Sequence, residues 1–167
     1  MTVVADSSFL IALATVNAFS LLPRLFPLIA IPRAVYDEVV TEGAGLPGAE
    51  EVAGAAWIAT LTVRDRAEVA AYRAARLGVG EAEVLALAAE LKADLVLVDD
   101  ERAWGVAEEK GLSYLRSVEL ILEAHRRQLV DAQAAEAKVI ELGRKRWMSE
   151  EVVEAALRQL AHMRSRT

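Results

Sequence analysis

The chain has 167 residues, 54% of them hydrophobic, with no cysteine and a formal net charge of −6. That length and hydropathy suit one domain with a real core and exclude a disordered chain, while the missing cysteines exclude disulfides, thiol catalysis and thiolate zinc sites. The acidic balance argues against a protein that grips nucleic acid through its whole surface and leaves room for a local basic patch.

Thr2 to Ala5 reads as a first apolar strand, with Asp6 at its end and Ser7 or Ser8 opening a helix. The N-terminal stretch is apolar enough to be weighed as an export signal. It has no Lys or Arg before Arg24, carries Asp6 early, and is interrupted by Asn17, Ser20 and Pro23. A signal peptide needs a basic start and a membrane span about 20 apolar residues, so we expect a soluble cytoplasmic protein with no membrane segment. Leu28 to Ile31 is a short second strand, closed by Pro32, which suits the first turn of a helix from Arg33 to about Thr41. Glu42 to Gly48 is a loop, and a short helix follows it. Trp57 to Val63, rich in β-formers, gives the third strand.

Helices then cover roughly Asp65 to Arg76 and Glu81 to Lys92, separated by "LGVG". The fourth strand is Leu95 to Val98, a run apolar on both faces, as in a buried parallel sheet. Glu101 to Lys110 is helical and stops at Gly111. Ser113 to Leu115 is a short fifth strand, and helices over Ser117 to Arg127, Asp131 to Leu142 and Ser149 to about Met163 complete the chain. Strands alternating with helices imply an α/β fold with a parallel sheet covered on both faces.

The fourth strand ends in "VDDE", Val98 to Glu101, where three carboxylates stand side by side. Open α/β sheets take their ligands at the carboxyl ends of strands. In a parallel sheet Asp6 reaches the same rim as Asp99 and Asp100. A lone Asp after a strand is ordinarily a helix N-cap; two acid-bearing strand ends weaken that reading for both. Helix phase adds a third acid. At about 100° per residue, Val84, Leu85, Ala88 and Leu91 share one side, Glu81 falls on its edge, and Glu83 and Glu90 point nearly opposite. A first-turn acid also complements the helix dipole, but a dipole partner has no need to lie on the buried side. In "PRAVYDEVV" the residues Val35, Tyr36, Val39 and Val40 form the buried face, and Asp37 and Glu38 flank it about equally.

These pieces resemble the PIN-domain family, small α/β metal-dependent nucleases that include VapC-type toxins. The matching segments are "VVADSS", "IPRAVYDEVV", "GEAEVLALAAE" and "LVLVDDE", followed by a helix and "GLSY"; they run in family order from roughly Val3 to Leu122. "GExE" followed by "VDD" is similar to one prokaryotic PIN subfamily. The resemblance implies a three-layer α/β/α fold with a central parallel sheet of about five strands. It also implies one domain over 1–167, with a core of about 1–125 and a helical extension of about 126–167.

By the same resemblance Asp6, Glu38, Glu81 and Asp99 are the catalytic acids and metal ligands, with Asp100 or Glu101 rivalling Asp99. Ser8 matches a small polar residue that supports the site, and Arg102, Arg116 and Ser117 are candidate substrate contacts. Clustered carboxylates resist ionising without a cation, and hard oxygen donors favour Mg²⁺ or Mn²⁺. His125 and His162 lie in distant helices, where surface positions are expected. The implied activity is hydrolysis of RNA phosphodiester bonds, with a homodimer and an antitoxin protein as partners. The run Arg144-Lys145-Arg146 reads as a solvated helix end, and Trp147 as packing for the last helix.

Two departures stand out. Ala103-Trp104 replaces a Gly-Arg pair, which weakens expected substrate contact near Trp104. "RSVE", Arg116 to Glu119, replaces a glycine-bearing loop, which favours an alternative: a non-catalytic PIN-like module for protein binding. A phosphoacceptor domain fits worse, because its paired acids follow strand one and Glu38 and Glu81 would have no job.

Overall fold

Five short strands, β1 (Val3–Ala5), β2 (Ile29–Pro32), β3 (Ile58–Leu61), β4 (Leu95–Leu97) and β5 (Tyr114–Leu115), form one parallel sheet in the order β3-β2-β1-β4-β5. The structure is a computed structural model, and residues 1–164 are described. Helices link and flank the strands: α1 (Ser7–Thr15), α2 (Leu22–Leu25), α3 (Arg33–Tyr36), α4 (Ala49–Gly54), α5 (Arg66–Ala74), α6 (Val79–Leu91), α7 (Glu101–Glu109), α8 (Ser117–Arg126), α9 (Ala132–Arg144) and α10 (Glu150–Arg164). The expected α/β architecture, a five-stranded parallel sheet flanked by helices, is what the chain adopts.

The chain winds from β1 outward through β2 to β3, then returns to add β4 on the other side of β1. The strand order therefore reverses between β1 and β4, and ligand crevices in open α/β sheets form outside the carboxyl ends of strands at such a reversal. Register pairs Ala5 with Leu97, and the Asp6 N–H donates to the Leu97 carbonyl at 3.0 Å. Asp6 thus leaves the sheet at the crevice, beside the end of β4. The core beneath it is apolar: Val4, Ala5, Phe9, Leu10, Leu13, Leu85, Val96 and Leu97 are all fully buried.

Boundaries shift in instructive ways. Leu28 is 57% exposed and outside the sheet, while Pro32 is the last residue of β2, extended (φ −72°, ψ 160°), and caps α3 rather than lying in its first turn. The fixed φ of proline fits that extended end. After four α-helical residues the backbone of α3 widens into a π-helical stretch, Asp37–Glu42. α6 begins at Val79, inside the supposed "LGVG" separator, with Gly78 as its N-cap.

The largest correction concerns Glu83. Phase puts it outward, yet it is only 7% exposed. Seven consecutive residues of α6, Ala82 to Ala88, are buried, so the helix has no solvent face there from which phase could be read. Two elements escaped the sequence reading altogether, a 3₁₀ turn at Phe19–Leu21 and the short α2 that continues it. Among the described residues no single helix is long and apolar enough to cross a membrane; the apolar N-terminal stretch bends by 112° between α1 and the segment 19–25.

Candidate metal centre and active site

Asp6 leads from β1 into α1. It is the N-cap of that helix, its Oδ1 accepting from the Phe9 N–H at 2.7 Å. The ordinary role of such a residue is therefore real. It accounts for one oxygen only: Oδ2 is buried without a hydrogen-bond partner, and the residue is 1% exposed. Burial pushes its carboxyl well above the usual range; the Phe9 N–H opposes this, and repulsion from Asp99, Glu81 and Asp100 adds to it.

Asp99, two residues beyond β4, has the same divided character. Its Oδ1 accepts from the Ser117 N–H, at the start of α8, at 2.7 Å, and its Oδ2 is buried and unpartnered. Burial pushes this carboxyl up to about 6, against the pull of Ser117 and Arg116. The Ser117 hydroxyl is fully buried beside it but lacks a well-formed hydrogen bond. Asp100 is the N-cap of α7, with Oδ1 accepting from the N–H groups of Arg102 at 2.9 Å and Ala103 at 3.2 Å. Glu101 is exposed at the first position of α7.

Glu81 reaches back to accept from the Gly78 N–H, the half of a capping box that a glutamate at the third helical position can supply. It is also raised, first by burial and then by Asp100 and Glu38, with Arg102 relieving part of the repulsion. Glu38 accepts from the Ser7 hydroxyl at 2.8 Å. A Cβ on Gly80 would stand 3.0 Å from Glu38 Oε2, so glycine lets α6 approach this carboxylate without pushing it aside by a few tenths of an ångström. Asp37, the other acid that phase left open, is half-buried and lies 3.4 Å from Arg33, whereas Glu38 is exposed. An open cleft of about 510 Å³ runs between Glu38 and Glu81, with Ser7, Asp37 and Glu42 on its wall.

Five acids from four separate elements of the chain thus share one electrostatic neighbourhood at the rim of β1 and β4. Among the described residues none of Asp6, Glu38, Glu81, Asp99 and Asp100 forms an ion pair. Nor are any three acidic or histidine side chains gathered closely enough to enclose a metal ion. The acids interact without closing into a cage. Their chemistry still fits a hard divalent cation: two buried carboxylate oxygens have no donor, and burial with mutual repulsion disfavours the charged forms.

The other expected contacts are placed less uniformly. The hydroxyl bonded to the acids is that of Ser7, buried in α1, not Ser8. Arg102 hangs near Glu81 with its guanidinium 3.4 Å from the Arg76 carbonyl. Arg116 is held by Glu119 at 2.6 Å, and the Glu119 Oε2 accepts from the Arg116 N–H at 3.0 Å. That back-bond closes the "RSVE" turn without glycine. Trp104 stacks on Tyr114 with centroids 5.8 Å apart, and Trp147 packs half-buried against the core. His125 lies half-buried against the Val130 carbonyl, 3.1 Å away, and His162 is exposed.

Glu83 was not singled out as part of this region, yet it bonds the start of the helix that carries Glu38: its Oε2 accepts from the Ala34 N–H at 3.3 Å and its Oε1 from Arg66 at 2.7 Å. A family model described as PIN domain matches residues 2–162. No curated protein matches the chain.

Proposed function

The chain belongs to the PIN-domain family, a nuclease-type family, and from that premise we propose that it is a divalent-metal-dependent endoribonuclease. Asp6, Glu38, Glu81 and Asp99 would hold Mg²⁺ or Mn²⁺, with Asp100 beside them. The observation that carries this reading is the pair of buried, donorless Oδ2 atoms of Asp6 and Asp99 where the strand order reverses. When bound, the ion supplies positive charge for the phosphodiester and lowers the pKa of the attacking water.

The chain's own residues do the rest. The N–H groups of Phe9 and Ser117 fix one oxygen each of Asp6 and Asp99, leaving the second free for the cation. Ser7 orients Glu38 in the same way. Arg102 and Arg116, near Glu81 and Asp99, are the cations best situated to meet RNA phosphates. The toxin role, an antitoxin partner and a homodimer belong to the finer part of the proposal and rest on the resemblance to VapC-type toxins.

Asp6→Asn tests the site. Asparagine still caps a helix, so the variant folds, and Mn²⁺-dependent cleavage of single-stranded RNA should be lost. Undiminished cleavage by that variant rejects the assignment. A second reading, a PIN module kept for protein binding, is favoured by the absence of a closed acid cage among the described residues. Calorimetry separates the two, since such a module takes up no Mn²⁺.

A further inference from the structure

We infer that Glu83 is a positioning residue: by capping α3 it sets Glu38 against Gly80 and Glu81. The inference rests on the assignment of Glu38 as a ligand. α3 is poorly anchored by itself. It has four residues before the π-helical stretch, and its N-cap, Pro32, makes no side-chain hydrogen bond to it. The first-turn N–H groups of a helix need acceptors from outside. Here Glu83, from a different helix, supplies one by accepting from the Ala34 N–H at 3.3 Å, where the helix dipole also favours a negative charge.

Two contacts then fix the helices in antiparallel register. Ala34 meets Glu83, and four residues later Glu38 meets Gly80, three residues earlier in α6. Displacing the first contact slides the second. A buried carboxylate without partners is costly. Glu83 is paired with Arg66, 2.7 Å away at the first position of α5, so α3, α5 and α6 are joined at one side chain. Its Oε2 accepts from the Ala34 N–H and its Oε1 from Arg66, so it acts through Glu38.

The test uses the full chain and Mn²⁺. Glu83→Gln keeps the size of the side chain and weakens both bonds, and Mn²⁺ affinity read by calorimetry should fall roughly ten-fold, as for residues that orient ligands. Glu38→Gln combined with Glu83→Gln should bind no more weakly than Glu38→Gln alone. Glu90→Gln is the control, because Glu90 likewise joins α6 to the start of α5, accepting from the Arg64 and Asp65 N–H groups at 2.7 Å. It should lower stability without touching Mn²⁺ affinity. Unchanged affinity in Glu83→Gln, or additive losses in the double variant, overturns the inference.

If the wild type takes up no Mn²⁺, the proposed function fails, and the positioning is still decided in the metal-free protein. The side-chain carboxyl ¹³C signal of Glu38 should move in Glu83→Gln and not in Glu90→Gln; an unmoved signal refutes it. Arg66→Gln, at a more exposed position, replaces Glu83→Gln should the latter not fold, with the same signal decisive either way.

Discussion

Asp99 shows how a single side chain can cost stability while one of its oxygens stays buried without a donor. Burial pushes its folded pKa up to about 6 from an ordinary value of 3.8. Below about pH 4 the carboxyl is neutral in folded and unfolded chains alike, and no penalty exists. Between pH 4 and 6 the folded chain binds the extra proton, so stability falls as pH rises, and the loss is complete above 6. Asp6 and Glu81 are shifted in the same direction. Glu123, held down to about 2 chiefly by Arg126, acts in the opposite sense, its stabilisation being lost as pH falls from about 4.5 towards 2. Asp99→Asn, which keeps the acceptor for Ser117, should stabilise the metal-free protein at pH 7 by about 1–3 kcal/mol, with no gain at pH 4. Thermal unfolding of both proteins across that range checks it, and parallel pH profiles would refute it. At Gly80 the signs separate differently. Alanine there gains up to about 1 kcal/mol of helix propensity but pushes on Glu38, so Gly80→Ala should leave the melting temperature unchanged or raised while RNA cleavage drops. A fall in both together would mean that the close approach is only packing.

At the level of elements, legibility followed how sharply a segment's surroundings differ from face to face. β1 and β4 were readable because short apolar runs ended abruptly in acids, and Asp6 and Asp99 do stand at neighbouring strand ends. α6 was readable as a helix and unreadable in orientation, because the sheet, α3, α5 and α7 surround it. Glu83 therefore looks surface-like by phase while lying buried. The π-helical stretch 37–42 leaves no mark in a pattern spaced for 3.6 residues per turn, and neighbouring serines, Ser7 and Ser8, cannot be ranked without coordinates. The C-terminal helices were read as an extension. In the structure α9 and α10 pack on α8, and Lys138 donates to the Val16 and Asn17 carbonyls at 3.1 and 2.8 Å, capping α1. Leu142 is fully buried in the same continuous core as β1. We expect Leu142→Ala to cost about 2–5 kcal/mol in urea unfolding, with one cooperative transition. A cost below about 1 kcal/mol, or a separate early transition, would make the hairpin an appendage.

Across the whole molecule the charge balance constrains how RNA can bind. A net charge of −6 repels a polyanion at long range, and much of the arginine on the C-terminal helices is already paired. Arg126 and Arg127 bond Glu123, Arg144 bonds Glu141, and Arg164 bonds Glu136. Near the acids the cations are Arg102 and Arg116, and Arg116 is shared with Glu119. Under the proposed function, attraction would then come mainly from a divalent ion, which would reverse the local sign of the site. Single-stranded nucleic acid releases about 0.7 counterions for each phosphate that a protein neutralises. With about two such contacts, the slope of log affinity against log monovalent salt should be near −1.5 at fixed Mn²⁺. Arg102→Gln should make that slope shallower by about 0.7, whatever the RNA sequence. Fluorescence anisotropy with the wild-type protein and short phosphorothioate RNAs that resist cleavage would measure both. A slope steeper than about −3 would require several more phosphate contacts, and so a basic surface away from the carboxylate rim.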